Sequence, residues 1–246
     1  MKLDYAPVLG VALLLAIWDA MALISPTLIP HSWSVAGALW EMVCQGDIVK
    51  DALTTLERTL AGFAIAALAG VPIGLGIGGI PLLNRALAGP LDFVRSIPAF
   101  VLLPAFLAIF RSSEGARLGI VVLGAGVVMV AHTAFGTAHV KRLRLDVGKV
   151  YGASRRFLSL IVFLETLPQI ADGARIGLSL SLILAIVGEI MLGATSGLGT
   201  RVNDSLSGFN LPQLYAMIVV VGFLGYLLNL SARSLTKRYA SYGRFL

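Results

Sequence analysis

The chain has 246 residues, 57% of them hydrophobic and only 13% charged, with a mean hydropathy of +0.89. A soluble domain carries about 25% charged residues, so this composition excludes an ordinary soluble enzyme and a disordered chain and fits a polytopic α-helical membrane protein. The apolar residues come in long runs rather than in alternation, which disfavours an outer-membrane barrel, and the formal charge of +6, from 19 Lys and Arg against 13 Asp and Glu, is expected to mark cytoplasmic loops rather than nucleic-acid binding.

A span needs about 20 mostly apolar residues. Six stretches qualify in chain order: Pro7–Ile24, Leu60–Ile80, Leu91–Phe110, Leu118–Ala138, Ala174–Leu192 and Leu214–Leu235. No small-residue cleavage site follows the first, so it reads as an uncleaved span. Between the first two, Val35, Leu39, Met42 and Val43 recur at helical spacing, with Glu41, Asp47, Lys50 and Asp51 among them. That pattern predicts an amphipathic helix at the interface or packed on the bundle. Short links are expected around Asn84-Arg85 and over Arg111–Arg117. The largest polar segment is Lys141–Asp172, where Lys141, Arg142, Arg144, Lys149, Arg155 and Arg156 fall within sixteen positions.

Six spans put the N-terminus, Arg85, this large loop and the tail on one side. Thirteen basic residues gather there: Lys2, Arg85, the six of the loop, Arg175, Arg233, Lys237, Arg238 and Arg244, with Arg95 close by. The other side holds Lys50, Arg58, Arg111, Arg117 and Arg201. The positive-inside rule then places both termini in the cytoplasm. A single cysteine, Cys44, excludes an internal disulfide.

No catalytic constellation stands out. The only Gly-Lys pair, Gly148-Lys149, lacks the glycine and hydroxyl residue of a phosphate-cradling loop. His31, His132 and His139 are scattered. His132 and His139, seven apart, read as a polar helix end rather than a metal site. Glu189 lies mid-span among apolar neighbours, where an ionisable group is costly and marks a candidate site. It either lines a path or gate, or is a buried hydrogen-bond partner. Arg175 opens the fifth span; it either meets an anionic solute or pairs with Asp172 and lipid phosphate. Asp92 and Arg95, three apart, are expected to neutralise each other. Asp19 is expected near the bundle interior. Pro98 and Pro104 kink or break the third span, which suits a hinge or pore lining. Gly70, Gly74, Gly76, Gly78 and Gly79 permit close helix packing in the second span.

The large loop reads as two short helices. Val147, Val150 and Tyr151 give the first an apolar face, Gly152 ends it with a positive φ, and Ser154 caps the second. In the second, Phe157, Leu158, Ile161, Val162 and Leu164 fall at helical spacing, and Pro168 is expected to break it before the fifth span.

This segment resembles the conserved cytoplasmic loop of ABC-importer permeases, whose pattern is Glu-Ala-Ala, three residues, Gly, then Leu-Pro. Asp146 stands at the Glu position, Gly152 at the Gly and Leu167-Pro168 at the end. Val147-Gly148 replace the two alanines, and Glu165 stands where many relatives have a first proline. Further resemblances run in order along the chain: Arg58-Thr-Leu-Ala-Gly62-Phe63, Ile97-Pro98 with Leu103-Pro104, Gly173-Ala-Arg175-Ile-Gly177, and Glu189-Ile-Met-Leu-Gly193-Ala-Thr-Ser-Gly197-Leu-Gly199. They cover roughly residues 55–230 and are most similar to permeases for sulfonates, taurine, nitrate and related small solutes.

The resemblance implies an all-α membrane protein with six transmembrane helices in the type I importer permease fold. It implies one domain over 1–246, in which 1–55 holds the first span and a periplasmic amphipathic segment. Residues 56–235 would form the core permease, with a cytoplasmic coupling loop at 141–172. The loop residues Asp146, Val147, Gly148, Tyr151, Gly152, Ala153, Ser154, Arg155, Leu167 and Pro168 are expected to dock on an ATPase. Glu189, Pro98, Pro104, Thr195 and Ser196 are expected at the path or gate. The chain itself is expected to be no enzyme and to bind no cofactor; ATP and Mg would sit in a cytoplasmic ATPase dimer. Further implied partners are a second permease copy (a homodimer favoured, with pairing to a different permease subunit as the alternative), a periplasmic or lipid-anchored solute-binding protein, and the bilayer of a bacterial inner membrane. The competing class, an ion-gradient-driven transporter, predicts inverted repeats and paired intramembrane acids, and the sequence shows neither.

Overall fold

The computed structural model describes residues 5–240; Lys2 and Arg244 lie outside them, as do the side chains of Lys237 and Arg238. Ten α-helices and no strand occur among the described residues: α1 (Ala6–Ile24), α2 (Ser32–Gln45), α3 (Asp47–Gly79), α4 (Pro81–Ser96), α5 (Leu103–Phe110), α6 (Ser113–Ala138), α7 (Arg142–Val150), α8 (Arg155–Leu192), α9 (Leu198–Ser207) and α10 (Leu211–Ala240). A short 3-10 turn, Ala99–Leu102, joins α4 to α5.

Among the described residues four helices are long and apolar enough to cross a bilayer: α3, α6, α8 and α10. The expected third span is a bent pair, α4 against the 3-10 turn and α5, turned by 85°. The break falls at Ile97-Pro98: both residues are extended, and Pro98 has no N–H to continue a helix. The expected first span falls on α1, whose apolar helical stretch, Val8–Ile24, is shorter than the other four and is not among the helices long enough to cross, so four spans, or five with the bent pair, stand among the described residues where the sequence predicts six.

The core of the bundle is α6, which lies between α3 and α8. Along α3 the buried positions Gly62, Ala66, Gly70, Gly74 and Gly78 repeat every four residues, one face of a helix. A Cβ on Gly70 would stand 2.8 Å from Met129 Cβ, and one on Gly74 2.5 Å from Thr133 Cβ. These glycines let the α3 and α6 backbones approach as they do in membrane helix pairs. Gly76 has open space around it and Gly79 has nothing nearer than 4.0 Å, so these two lie outside the seam. On the opposite face of α6, Gly136 abuts Gln169 of α8, and Gly173 of α8 abuts His132. A second core, with Val35, Met42, Ile48, Leu198 and Met217, packs α2, the start of α3, α9 and α10 together.

Several sequence expectations change. The second span begins not at Leu60 but at Asp47, because the polar residues Asp51 and Thr55 are buried against α9 rather than exposed on a separate amphipathic segment. Asn84 and Arg85 lie inside α4 rather than in a link. Pro168 does not end its helix: α8 runs unbroken for 38 residues. A proline in a membrane helix forfeits one backbone bond, and neighbouring helices and hydroxyls compensate. Here the carbonyl deprived of its donor is that of Leu164; one turn away Thr166 Oγ1 donates to the Val162 carbonyl at 2.7 Å and lies 3.4 Å from Thr137 Oγ1 of α6, which holds this stretch against the central helix. Asp19 is partly exposed rather than interior. Its carboxylate accepts from the backbone N–H and the hydroxyl of Ser32, both at 2.8 Å, and so caps α2 from α1.

Candidate functional site

Three features concentrate the polar chemistry. The first is the loop end, formed by α7 and the start of α8. Gly152 adopts φ +73, a conformation that glycine, having no Cβ, takes without steric cost. Its N–H donates to Lys149 O at 2.9 Å, and the Ala153 N–H donates to Gly148 O at 2.9 Å, which closes the α7 C-terminus. Ser154 Oγ then accepts from the Phe157 N–H at 3.3 Å and starts α8. Gly148 faces Leu158 of α8 so closely that a Cβ would lie 2.9 Å from Leu158 Cδ2. The opposite face of α7 has no partner among the described residues: Leu143, Val147, Val150 and Tyr151 follow helical spacing and are 74%, 47%, 85% and 86% exposed. Asp146 pairs with Lys149 at 3.0 Å, and Arg155 is exposed. Glu165 ties the two helices: it lies 3.0 Å from Arg144 and accepts from the Lys141 N–H at 3.3 Å. Leu167 and Pro168 lie half-buried within α8, more than three turns from its N-terminus.

At the other end of the bundle lies a buried charge cluster. Glu189 is fully buried. Its carboxylate accepts from Thr55 Oγ1 at 3.0 Å, from Arg58 at 2.8 Å and from the Gly199 N–H at 2.9 Å. Arg58 also donates to the Ser196 carbonyl at 2.8 Å and to Glu114 at 2.7 Å. Glu114 in turn takes Arg117 at 2.6 Å, and Arg117 reaches the Gly193 carbonyl. Asp51 accepts from the Gly197 N–H at 2.9 Å and pairs with Arg201, while Leu198 N–H donates to Thr55 Oγ1 at 2.9 Å. The first N–H groups of α9, orphaned by helix geometry, are therefore satisfied by side chains of α3 and α8. Gly197 makes this wrapping possible. At φ +135 it is strained for any side chain, and a Cβ would stand 2.5 Å from Glu189 Cδ. Burial pulls the Arg201 pKa down, but hydrogen bonds to Asp51 and Asp47 outweigh it and raise it above the usual arginine value.

The third feature is a groove along the α6–α8 face. A polar cleft of about 660 Å³ is lined by His132, Asp172, Arg175, Ser179 and Asn229. An adjoining, more apolar cleft of about 450 Å³ contains Arg95, Pro98 and Ala99 at the break between α4 and α5. The two share Leu180 and Ile183. Asp92 pairs with Arg95 at 3.5 Å, as its spacing predicts. Arg175 does not pair with Asp172; its Nε donates to Asn229 Oδ1 at 2.8 Å. No group of three or more histidine, cysteine or acidic residues arranged for a metal occurs among the described residues.

The sequence-predicted site residues thus separate. Pro98 borders the groove, and Pro104 begins α5. Glu189 sits inside the cluster, away from any opening, and Ser196 joins it through its carbonyl. Thr195 is exposed on the α8–α9 turn.

Residues 62–241 match the family described as the binding-protein-dependent transport system inner membrane component. The chain belongs to that family. It is 30% identical over 176 residues to the nitrate import permease of Leptolyngbya laminosa, a match that spans 71% of this chain and 63% of the relative. It is 26% identical over 236 residues to the taurine transport system permease of Escherichia coli, spanning 92% and 86%. It is also 26% identical over 246 residues to the bicarbonate transport system permease of Synechococcus elongatus, spanning 93% and 87%. Among solved structures it resembles an inward-facing form of the MetNI methionine ABC transporter, with TM-score 0.67 and 20% identity over 78% of this chain and 95% of that one. An amino acid ABC transporter solved with histidines gives TM-score 0.61 and 14% identity, covering 85% of this chain and 98% of that one. The fold is that of ABC-importer permeases. As a permease of this family the chain is a membrane transport subunit and not an enzyme.

Sequence reasoning found Glu189 but missed most of its partners in this permease. Asp51 falls in the expected amphipathic stretch, Arg58, Arg117 and Arg201 fall among the charges expected on the side opposite the large loop, and neither Thr55 nor Glu114 stands out from sequence. The signal was present in the stripe Asp51, Thr55, Thr59, Gly62 and Ala66, a small or polar residue at every third or fourth position on a helix otherwise rich in large apolar side chains.

Proposed function

We propose that this permease is the path-forming subunit of an ATP-driven importer for a small polar or anionic solute such as a sulfonate, taurine, nitrate or bicarbonate. Its α7 end faces the cytoplasm and receives an ATPase dimer that binds ATP and Mg. The observation that carries this reading is the unpartnered apolar face of α7, held out from the bundle by a glycine turn, a serine cap and the Glu165–Arg144 pair. Exposed tyrosine and aliphatic side chains on a fixed helix are what a protein groove recognises. Asp146, Val147, Gly148, Tyr151, Gly152, Ala153, Ser154 and Arg155 would make or shape that contact, and Leu167-Pro168 would pass its motion into α8. Two permease copies, both with cytoplasmic termini in a bacterial inner membrane, would enclose the solute between their α6–α8 grooves. A solute-binding protein would deliver at the α9 end, where Glu189, Thr195 and Ser196 hold the outer turn. ATP drives import only if it favours one arrangement of this assembly over the other.

The test is purification of the tagged chain in mild detergent from its host, with the mass and composition of the complex measured. Two copies each of an ABC ATPase and this permease are expected. A lone chain whose transport collapses with the proton or sodium gradient would overturn the reading in favour of a secondary transporter.

The same assembly tests the loop. Glu165→Gln is expected to lower solute uptake per ATP hydrolysed several-fold in proteoliposomes. With the Glu165 side chain 10% exposed and Arg144 31%, it should cost about 1.5–3 kcal/mol of stability, the range of a hydrogen bond to a charged group. The exchange Glu165→Arg with Arg144→Glu should restore the ratio; unchanged coupling in the single variant would remove Glu165 from the loop's working parts.

A further inference from the structure

Asp172 and Arg175 sit one turn apart on α8 and line the same polar cleft. At that spacing an acid and a base on one helix ordinarily meet. Elsewhere in the chain they do: Asp92 with Arg95 at 3.5 Å, Glu114 with Arg117 at 2.6 Å, and Asp146 with Lys149 at 3.0 Å. Asp172 and Arg175 make no ion pair among the described residues. Arg175 turns instead to α10, where Asn229 Oδ1 takes its Nε–H at 2.8 Å. That bond uses one of five donors. The terminal amino groups of Arg175 and the carboxylate of Asp172 have no hydrogen-bond partner among the described residues. Asp172 is exposed to the cleft mouth.

Two opposite charges about 5–6 Å apart at their Cβ atoms therefore face one cavity without satisfying each other. The planar fork of an arginine matches a carboxylate or sulfonate, and a carboxylate accepts an ammonium. A simple anion would gain Arg175 but meet the field of Asp172. A molecule carrying both charges a few bonds apart uses both groups. Ser179 and Asn229 add neutral hydrogen-bonding capacity, and His132, packed on Gly173, walls the α6 side. The charges of Asp172 and Arg95 both act on that histidine.

We propose that the α6–α8–α10 cleft is a binding site for a small zwitterion, its oxyanion on Arg175 and its ammonium on Asp172. This rests on the importer reading and narrows its solute to amino-sulfonates and amino-carboxylates rather than nitrate or bicarbonate.

Matched probes test it: taurine against ethanesulfonate, and β-alanine against propionate. Each is measured by equilibrium binding to the purified permease–ATPase complex without its soluble binding protein. In at least one pair the zwitterion is expected to bind at least about tenfold tighter than its partner lacking the ammonium, the range of a charged hydrogen bond. Asp172→Asn should erase that preference without weakening the anion, and Arg175→Gln should weaken both. Asp172→Ser, with melting curves for all variants, separates loss of binding from loss of fold. Equal binding within each pair, or a preference that survives in folded Asp172→Asn, overturns the zwitterion site. A complex that hydrolyses ATP in response to its binding protein yet binds neither pair overturns the site and leaves the importer reading standing. A chain that purifies without an ATPase overturns the importer reading itself.

Discussion

Replacing Glu189 with alanine is expected to cost about 3–5 kcal/mol, the range for removing one partner of a buried ion pair. The variant leaves the Thr55 hydroxyl and the Gly199 N–H without their acceptor and Arg58 with only the more exposed Glu114 and a carbonyl. Thermal unfolding in detergent should show Tm falling on the order of 10 °C for a chain of this length. Glu189→Gln, which keeps the shape and one acceptor, should lose less. Arg58→Ala combined with Glu189→Ala should cost less than the two singly, because the residues share one network. An unchanged Tm in Glu189→Ala would show that the cluster does not hold the α8–α9 corner.

The second large effect is steric. Gly74→Leu places a branched side chain where even a Cβ meets Thr133 Cβ at 2.5 Å and the Val130 carbonyl at 2.7 Å. Both neighbours belong to the central helix α6, whose backbone cannot withdraw without opening its contact with α8. Overpacking of this kind costs about 1–3 kcal/mol or more, and the expected readout is loss of monodisperse protein in size-exclusion chromatography. Gly76→Ala is the control. Two residues away on the same helix it has nothing within 4 Å, so it should be neutral or stabilise α3 by up to about 1 kcal/mol. Equal behaviour of the two variants would mean the α3–α6 seam is not set by its glycines.

What the sequence made legible follows from physical range. Local devices were readable: the Gly152 turn, the Ser154 cap, the break at Ile97-Pro98 and the small-residue stripe of α3 all arise from residues a few positions apart. Long apolar runs announced the spans for the same reason. Pairings between distant segments were not readable. Asp51 with Arg201 and Thr55 with Glu189 join positions more than 130 apart, and no periodicity reports such a contact. The fate of Pro168 also depended on tertiary context, since α6 packs along α8 through Gly136 and Thr137 at that level. Arg175 illustrates the same limit from the other side: Asp172, three residues away, was one of its two expected partners, and a residue of α10 took the bond.

The continuity of α8 has a mechanical consequence. The helix is roughly 57 Å long at 1.5 Å per residue, so a tilt of about 10° displaces one end relative to the other by roughly 10 Å. Glu165 anchors α7 near one end, Glu189 anchors α9 near the other, and Gly173 rests against His132 between them. A rigid tilt of α8 about the Gly173–His132 contact would make it a lever with its fulcrum in the wall of the polar cleft. In such a tilt a push on α7 would arrive at the α9 turn with opposite sign, so the two ends of the helix would swing in opposite directions.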